Sequence, residues 1–128
     1  MITLIGSWEE GWLDNRVELF MWKQLKAAFS VDRIVMVGVS DNPRICIDMY
    51  ETVEEAIDSS EGSVVLLEPR GDVLLSEFMH PASAVYVFGD AMNNNLKQDG
   101  VKVRIDTPTM TDMFAVNAAA IVLADRML

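Results

Sequence analysis

The chain has few of the residues that build metal sites, disulfides and phosphate grips. It has one cysteine, Cys46, and one histidine, His80. A lone cysteine excludes an internal disulfide and suits a reducing cytoplasm, the expected location. One Cys and one His are too few for a Cys/His zinc site within one chain, so no metal is expected. Positive charge is scarce: ten Lys and Arg stand against twenty Asp and Glu, a net charge of −10 at pH 7. A protein that grips nucleic acid by its phosphates presents a basic face. Any such partner must therefore be held locally, across a second subunit or with a helper protein. No apolar run approaches the roughly 20 residues of a bilayer-crossing helix, so no membrane is expected. The start, "MITLIGSWEEGW", carries no basic leader. Internal repeats and Pro/Ser linkers are missing too.

What is present is 128 residues that are 51% hydrophobic, enough for one globular domain over 1–128. Apolar runs alternate with helical patterns. Strands are predicted at Ile2 to Gly6, Arg33 to Gly38, Ile45 to Met49, "GSVVLLEPRG", Ala84 to Phe88 and "DGVKVRIDTP". A helix is predicted from Asn15 to Phe29, capped by Asp14, with Val17, Phe20, Met21, Leu25 and Ala28 at helical spacing. Thr52 caps "VEEAIDSS" with Glu55 three residues on. "DVLLSEFM" and Asp112 to Met127 complete the helices. Continuous Val/Ile/Leu runs mark strands covered on both faces. The expected fold class is α/β, with a mainly parallel sheet of five to six strands and helices on both faces.

In such sheets ligands collect at the carboxyl ends of the strands. Three of those ends are punctuated by glycine or proline: "LEPRG", "FGDAMNNN" and "IDTPTMTDM". Gly89 ends its strand as a simple turn or as the rim of a pocket, and the two similar loops beside it favour the pocket. Asn93, Asn94 and Asn95 suit αL turn geometry.

From "HPASAVYVFG" through "VRIDTPTMTDMFAVNAAAIVLADR" the sequence resembles the SPOUT superfamily, in particular its SpoU/TrmH-type RNA ribose 2'-O-methyltransferases. Pro108 and Asn117 stand nine positions apart, as in that family, and Ala115-Val116-Asn117-Ala118 replaces its Ser-Leu-Asn-Val. The resemblance implies S-adenosylmethionine as cofactor, a C-terminal trefoil knot and a homodimer. It places the cofactor at Leu67, Glu68, Pro69, Phe88, Gly89, Asp90, Met92, Asn93, Ile105, Thr107, Pro108 and Met113. The departures lie in the catalytic groups. Aligned through Phe29, the family's asparagine and arginine positions fall at Glu18 and Gln24, its glutamate at Ala91, its second glycine at Asn94 and its serine at Ala115.

Arg16 and Lys23, seven apart on one helical face, are candidates for the missing cation, against a surface salt bridge for Arg16. Asn117, with these two in the catalytic set, is expected to be a buried amide that holds the neighbouring loop. Glu68 and Arg70 contact ligand or form a tight turn. Asp90 holds ribose hydroxyls or faces solvent. His80 reads as a turn residue ahead of Pro81, Cys46 as a buried thiol, and the methionines as core filler. Trp8 and Trp12 stack on a base or, preferably, pack against a second subunit. The function implied is methyl transfer from S-adenosylmethionine to an RNA ribose. The alternatives are a non-catalytic cofactor-binding dimer and, last, an unknotted flavodoxin-like module, for which "GSWEEGW" makes a poor phosphate turn.

Overall fold

The computed structural model describes residues 1–9, 14–38, 47–89, 96–109 and 111–128. Its strands are β1 (Ile2–Ser7), β2 (Arg33–Val37), β3 (Asp48–Tyr50), β4 (Ser63–Leu67), β5 (Val73–Leu74), β6 (Ala84–Phe88) and β7 (Val101–Arg104). Its helices are α1 (Asn15–Phe29), α2 (Val53–Asp58) and α3 (Ala115–Arg126). The strands form one sheet in the order β3-β2-β1-β6-β4-β7-β5, and each neighbouring pair is parallel. The mainly parallel sheet is as expected. Its seven strands exceed the five or six read from the sequence, because β3 and β5 are edge strands of three and two residues.

Alternate side chains of the central strands point to opposite faces. Leu4, Met36, Val65, Leu67, Tyr86 and Phe88 meet the inward sides of α1 and α3, while Ile5, Val35, Leu66, Val85 and Val87 meet Ala56 of α2. All five residues of β6 are buried. That accounts for the unbroken apolar run: no face of this strand reaches water.

α1 begins where Asp14 accepts a hydrogen bond from the Arg16 N–H at 2.8 Å. It ends at Ser30, whose left-handed φ of 54° turns the chain away. Its inward face differs in part from the one expected: Met21 and Leu25 do pack against the core, but Glu18, Leu19 and Trp22 are its buried residues, whereas Val17 and Phe20 are 51% and 73% exposed. The hydrophobic spacing could not separate the two stripes, because both are apolar. Thr52 caps α2 as expected, accepting from the Glu55 N–H.

"DVLLSEFM" is not a helix. Val73 and Leu74 pair with Val103 and Arg104 of β7, which removes them from helical bonding, and only a single 3₁₀ turn follows at Leu75–Glu77. The short strand expected at Ile45 to Met49 runs from Asp48 to Tyr50; Ile45 and Cys46 lie outside the described residues. The last helix starts at Ala115 rather than Asp112.

β7 inserts between β4 and β5, two strands that precede it in the chain. The loop leaving β4 crosses against β7 so closely that a Cβ on Gly71 would stand 2.6 Å from the Val103 carbonyl carbon. Only glycine fits there, for steric reasons alone.

At the amino ends of the strands His80 is more than a turn residue. Its Nδ1 lies 2.7 Å from the Tyr86 hydroxyl and its Nε2 2.7 Å from Asp125 Oδ2. Arg126 donates to the same hydroxyl and to the Pro81 and Ala82 carbonyls. Proximity to Pro81 hid this role, since the Asp125 carboxylate arrives from a helix forty-five residues away. The methionines divide: Met36 is fully buried, but Met79 and Met127 are 90% and 74% exposed. Among the described residues no helix is long and apolar enough to cross a membrane.

Candidate functional site

β6, β4 and β7 are neighbours in the sheet, so the loops that leave their carboxyl ends emerge side by side. Together with the segment that enters α3 they line one cavity of about 630 Å³ counted out to its open mouth. Leu67, Glu68 and Pro69 come from the end of β4, Phe88 and Gly89 from β6, and Val103, Ile105 and Thr107 from β7. Thr111, Asp112, Met113, Ala115 and Ala118 close the fourth side.

The loops are tied in place by backbone bonds. The Glu68 N–H donates to the Val103 carbonyl at 2.9 Å, and the Gly71 N–H donates to the Glu68 carbonyl at 3.1 Å. Arg104 locks the same turn by donating to the Gly71 carbonyl and to Asp106. Within this frame two polar atoms are buried with no hydrogen-bond partner, Glu68 Oε1 and Thr107 Oγ1. Glu68 as a whole is only 8% exposed. Buried polar atoms are ordinarily paired, so these two mark where a ligand's donors or positive charge are wanted. The apolar walls offer a flat ring system a dry surface.

Behind Phe88 the site rests on Trp22, with ring centroids 6.0 Å apart. The Trp22 Nε1–H donates to Glu18 Oε2 at 3.2 Å, and Glu18 Oε1 accepts from the Glu9 N–H at 2.9 Å. Glu18 is thus a buried brace between α1 and the loop after β1. Gly6 allows this packing, since a Cβ there would stand 2.6 Å from the Trp22 ring.

Of the residues assigned to a cofactor from the sequence, Leu67, Glu68, Pro69, Phe88, Gly89, Ile105, Thr107 and Met113 line the cavity. Pro108 is exposed and stands outside the lining. Asp90, Met92 and Asn93, with Asn94 and Asn95, lie outside the described residues, as does Trp12. The lining residues missed were Val103, Thr111, Asp112, Ala115 and Ala118. The small pair Ala115 and Ala118, one turn apart at the start of a helix, was the available signal.

The three residues of the catalytic set are not part of the lining. Arg16 is exposed and bridges to Asp14 at 3.3 Å, the salt-bridge alternative. Its hydrogen bond to Asp14 raises its pKa and lowers that of the carboxyl. Lys23 is exposed on α1. Asn117 is exposed as well, which corrects the expected buried amide: α3 turns Ala115, Val116, Ala119, Val122 and Leu123 inward and leaves Asn117 outside. Trp8 is 1% exposed within the core, so it neither stacks on a base nor reaches a second subunit.

Neither a protein-family model nor a curated protein matches the sequence. The likeness is in the fold. A structure from work on the 2-OH methylation of C/U34 on tRNA superposes with a TM-score of 0.75 at 10% identity, over 98% of this chain and 93% of that one. The SpoU methyltransferase AviRb from Streptomyces viridochromogenes, in complex with the cofactor AdoMet, gives 0.72 at 12%, over 98% of this chain and 56% of that one. An AdoMet-bound rRNA methyltransferase from Sinorhizobium meliloti gives 0.70 at 15%, over 98% and 55%. The chain therefore spans nearly all of the first structure and a little over half of the other two. Its fold is that of the SpoU/TrmH-type RNA methyltransferases.

Proposed function

We propose that this chain is an S-adenosylmethionine-dependent methyltransferase acting on RNA, with a ribose 2'-hydroxyl as acceptor. One observation carries the reading: three strand-end loops meet on a single cavity, in a fold shared with AdoMet-bound methyltransferases. The residues present fit the cofactor. Leu67, Phe88, Val103 and Ile105 offer a purine an apolar slot, Thr107 holds an unpartnered hydroxyl for its donors, and Glu68 holds an unpartnered carboxylate for the cofactor's positive charge. No Lys, Arg or His stands among the described lining residues, which disfavours a phosphate-bearing nucleotide and with it the flavodoxin-like alternative. When bound, S-adenosylmethionine supplies an electrophilic methyl group on a good leaving group. The chain's own contribution is alignment, and a ribose hydroxyl, a weak nucleophile, gains from a nearby base or cation.

The crossing of the Gly71 loop against β7 is the part of the fold we read as the C-terminal trefoil knot. We read the outer sides of α1 and α3 as a homodimer face, with Val17 and Phe20 on one and Phe114 and Ile121 on the other, all more than a third exposed. Exposed apolar clusters of this kind mark contact surfaces. A second copy docked there also covers Asn117 and gives its amide partners.

A second reading, a dimer that binds the cofactor without catalysis, is favoured by the two stand-ins for the family's arginine: Arg16 and Lys23 are exposed and outside the lining, and Arg16 is engaged by Asp14. Titration calorimetry with S-adenosylmethionine and S-adenosylhomocysteine, repeated on Gly89→Val, is the first test. A Kd on the order of micromolar, about 8 kcal/mol, lost in the variant, supports both readings. Transfer of labelled methyl to tRNA or rRNA then selects the enzyme. Binding without transfer selects the second reading, and no heat from folded protein refutes both.

A further inference from the structure

We infer that Glu68 is the charge-selecting residue of the cavity: its buried carboxylate holds the sulfonium centre of the methyl donor and discriminates against the neutral thioether. The inference rests on the cofactor reading above and goes beyond it, because it assigns a specificity to one side chain.

Glu68 follows directly on β4, with its N–H bonded to the Val103 carbonyl and its own carbonyl bonded to the Gly71 N–H. Pinned on both sides, the side chain is 8% exposed and Oε1 meets no donor. Another buried carboxylate makes a contrast: Glu18 is 1% exposed, but both its oxygens accept hydrogen bonds from the protein. Glu18 is structural, whereas Glu68 lacks the partner that would offset its burial. Among the described residues none donates to Glu68 Oε1. Arg70, two residues on in the same turn, is exposed and outside the lining, and Arg104 on β7 already donates to Asp106 and to the Gly71 carbonyl. Asp112 adds a second carboxylate to the lining, and the described lining residues include no cation. A negative, apolar-walled cavity attracts positive charge more strongly than open water allows.

S-adenosylmethionine carries its distinguishing positive charge on sulfur, and that charge disappears when the methyl group leaves. A carboxylate here therefore favours the donor over the product. The ammonium group of the amino-acid tail is common to both molecules and cannot produce such a preference.

Calorimetry on the full chain compares S-adenosylmethionine, S-adenosylhomocysteine and an analogue with a protonated amine in place of the sulfonium. The wild type is expected to bind both cations about tenfold more tightly than the thioether, the ratio equivalent to about 1.4 kcal/mol. In Glu68→Gln, with folding checked by its melting curve, the three affinities should fall within about threefold of one another. The amine analogue tests the wild type alone, so the inference does not depend on the variant folding. Equal affinities for all three in the wild type overturn the role of Glu68 and leave the cofactor reading standing. So does an equal loss for all three in Glu68→Gln, which would assign Glu68 to the ammonium. No binding of any of them overturns both.

Discussion

Replacing Tyr86 by Phe removes one oxygen from the centre of the cluster at the amino ends of the strands. Tyr86 is fully buried, and its hydroxyl lies 2.7 Å from His80 Nδ1 and 2.9 Å from the Arg126 guanidinium. His80 Nε2 faces Asp125, a carboxylate, so that nitrogen carries the proton and donates. In the neutral imidazole Nδ1 then accepts from the Tyr86 O–H, and the tyrosine oxygen accepts from Arg126. Tyr86→Phe keeps nearly the same volume, so no cavity cost arises, but it leaves Nδ1 and one Arg126 N–H without their partner. Arg126 retains the Pro81 and Ala82 carbonyls, which limits the loss on that side. A net hydrogen bond contributes about 0.5–1.5 kcal/mol and a bond to a charged group somewhat more, giving about 2 kcal/mol in all. For a chain of this size that corresponds to a fall of about 8 °C in Tm.

The second consequence concerns pH. Burial pushes the Tyr86 hydroxyl above the ordinary 10.0, with Arg126 opposing the shift. A pKa raised on folding gives stability that is complete below the unfolded value and lost as pH rises through the folded one. Native stability should therefore decline above about pH 10, and Tyr86→Phe should flatten that limb. Thermal melts at pH 7 and a series of urea titrations up to pH 11 measure both. A Tm within about 2 °C of wild type, or an unchanged alkaline limb, would refute the assigned network. Cofactor affinity should be unaffected, because the cavity lies at the opposite end of the sheet.

Three further outcomes are expected. Glu18→Leu leaves the Trp22 Nε1–H and the Glu9 N–H without their acceptor. It should lower stability by about 2–3 kcal/mol in urea titration, and a neutral result would deny Glu18 its bracing role. Gly71→Ala places a methyl against the backbone of β7. It should cost about 1–3 kcal/mol and weaken cofactor binding with it; unchanged calorimetry would detach the loop from the site. If the proposed face joins two copies, the wild type should sediment as a dimer by analytical ultracentrifugation and Phe20→Glu with Ile121→Glu as a monomer; a wild type that sediments as a monomer contradicts the proposed face.

The covering of both sheet faces was legible in "RIVMV", "SVVLL" and "AVYVF", since a strand with no polar alternation has no face for water. Helix α1 was legible to both ends, because its signals are local: an Asp cap and a helical period. The cavity was legible through punctuation, as Gly89 and Pro69 end strands at the edge where parallel sheets gather ligands.

Other features depended on contacts between residues far apart in sequence. "DVLLSEFM" satisfies a helical pattern, yet Val73 and Leu74 pair with a β7 that the chain reaches about thirty residues later. His80 looked like a turn residue until Asp125 and Arg126 arrived beside it from the far end of α3. Asn117 and the inward side of α1 were misjudged for one reason: composition counts the apolar residues on a helix, but packing against the sheet chooses which of them turn inward. Local chemistry thus determined the elements and the edge where the site lies. Only the assembled sheet decided that Glu68 would face a cavity with no partner of its own.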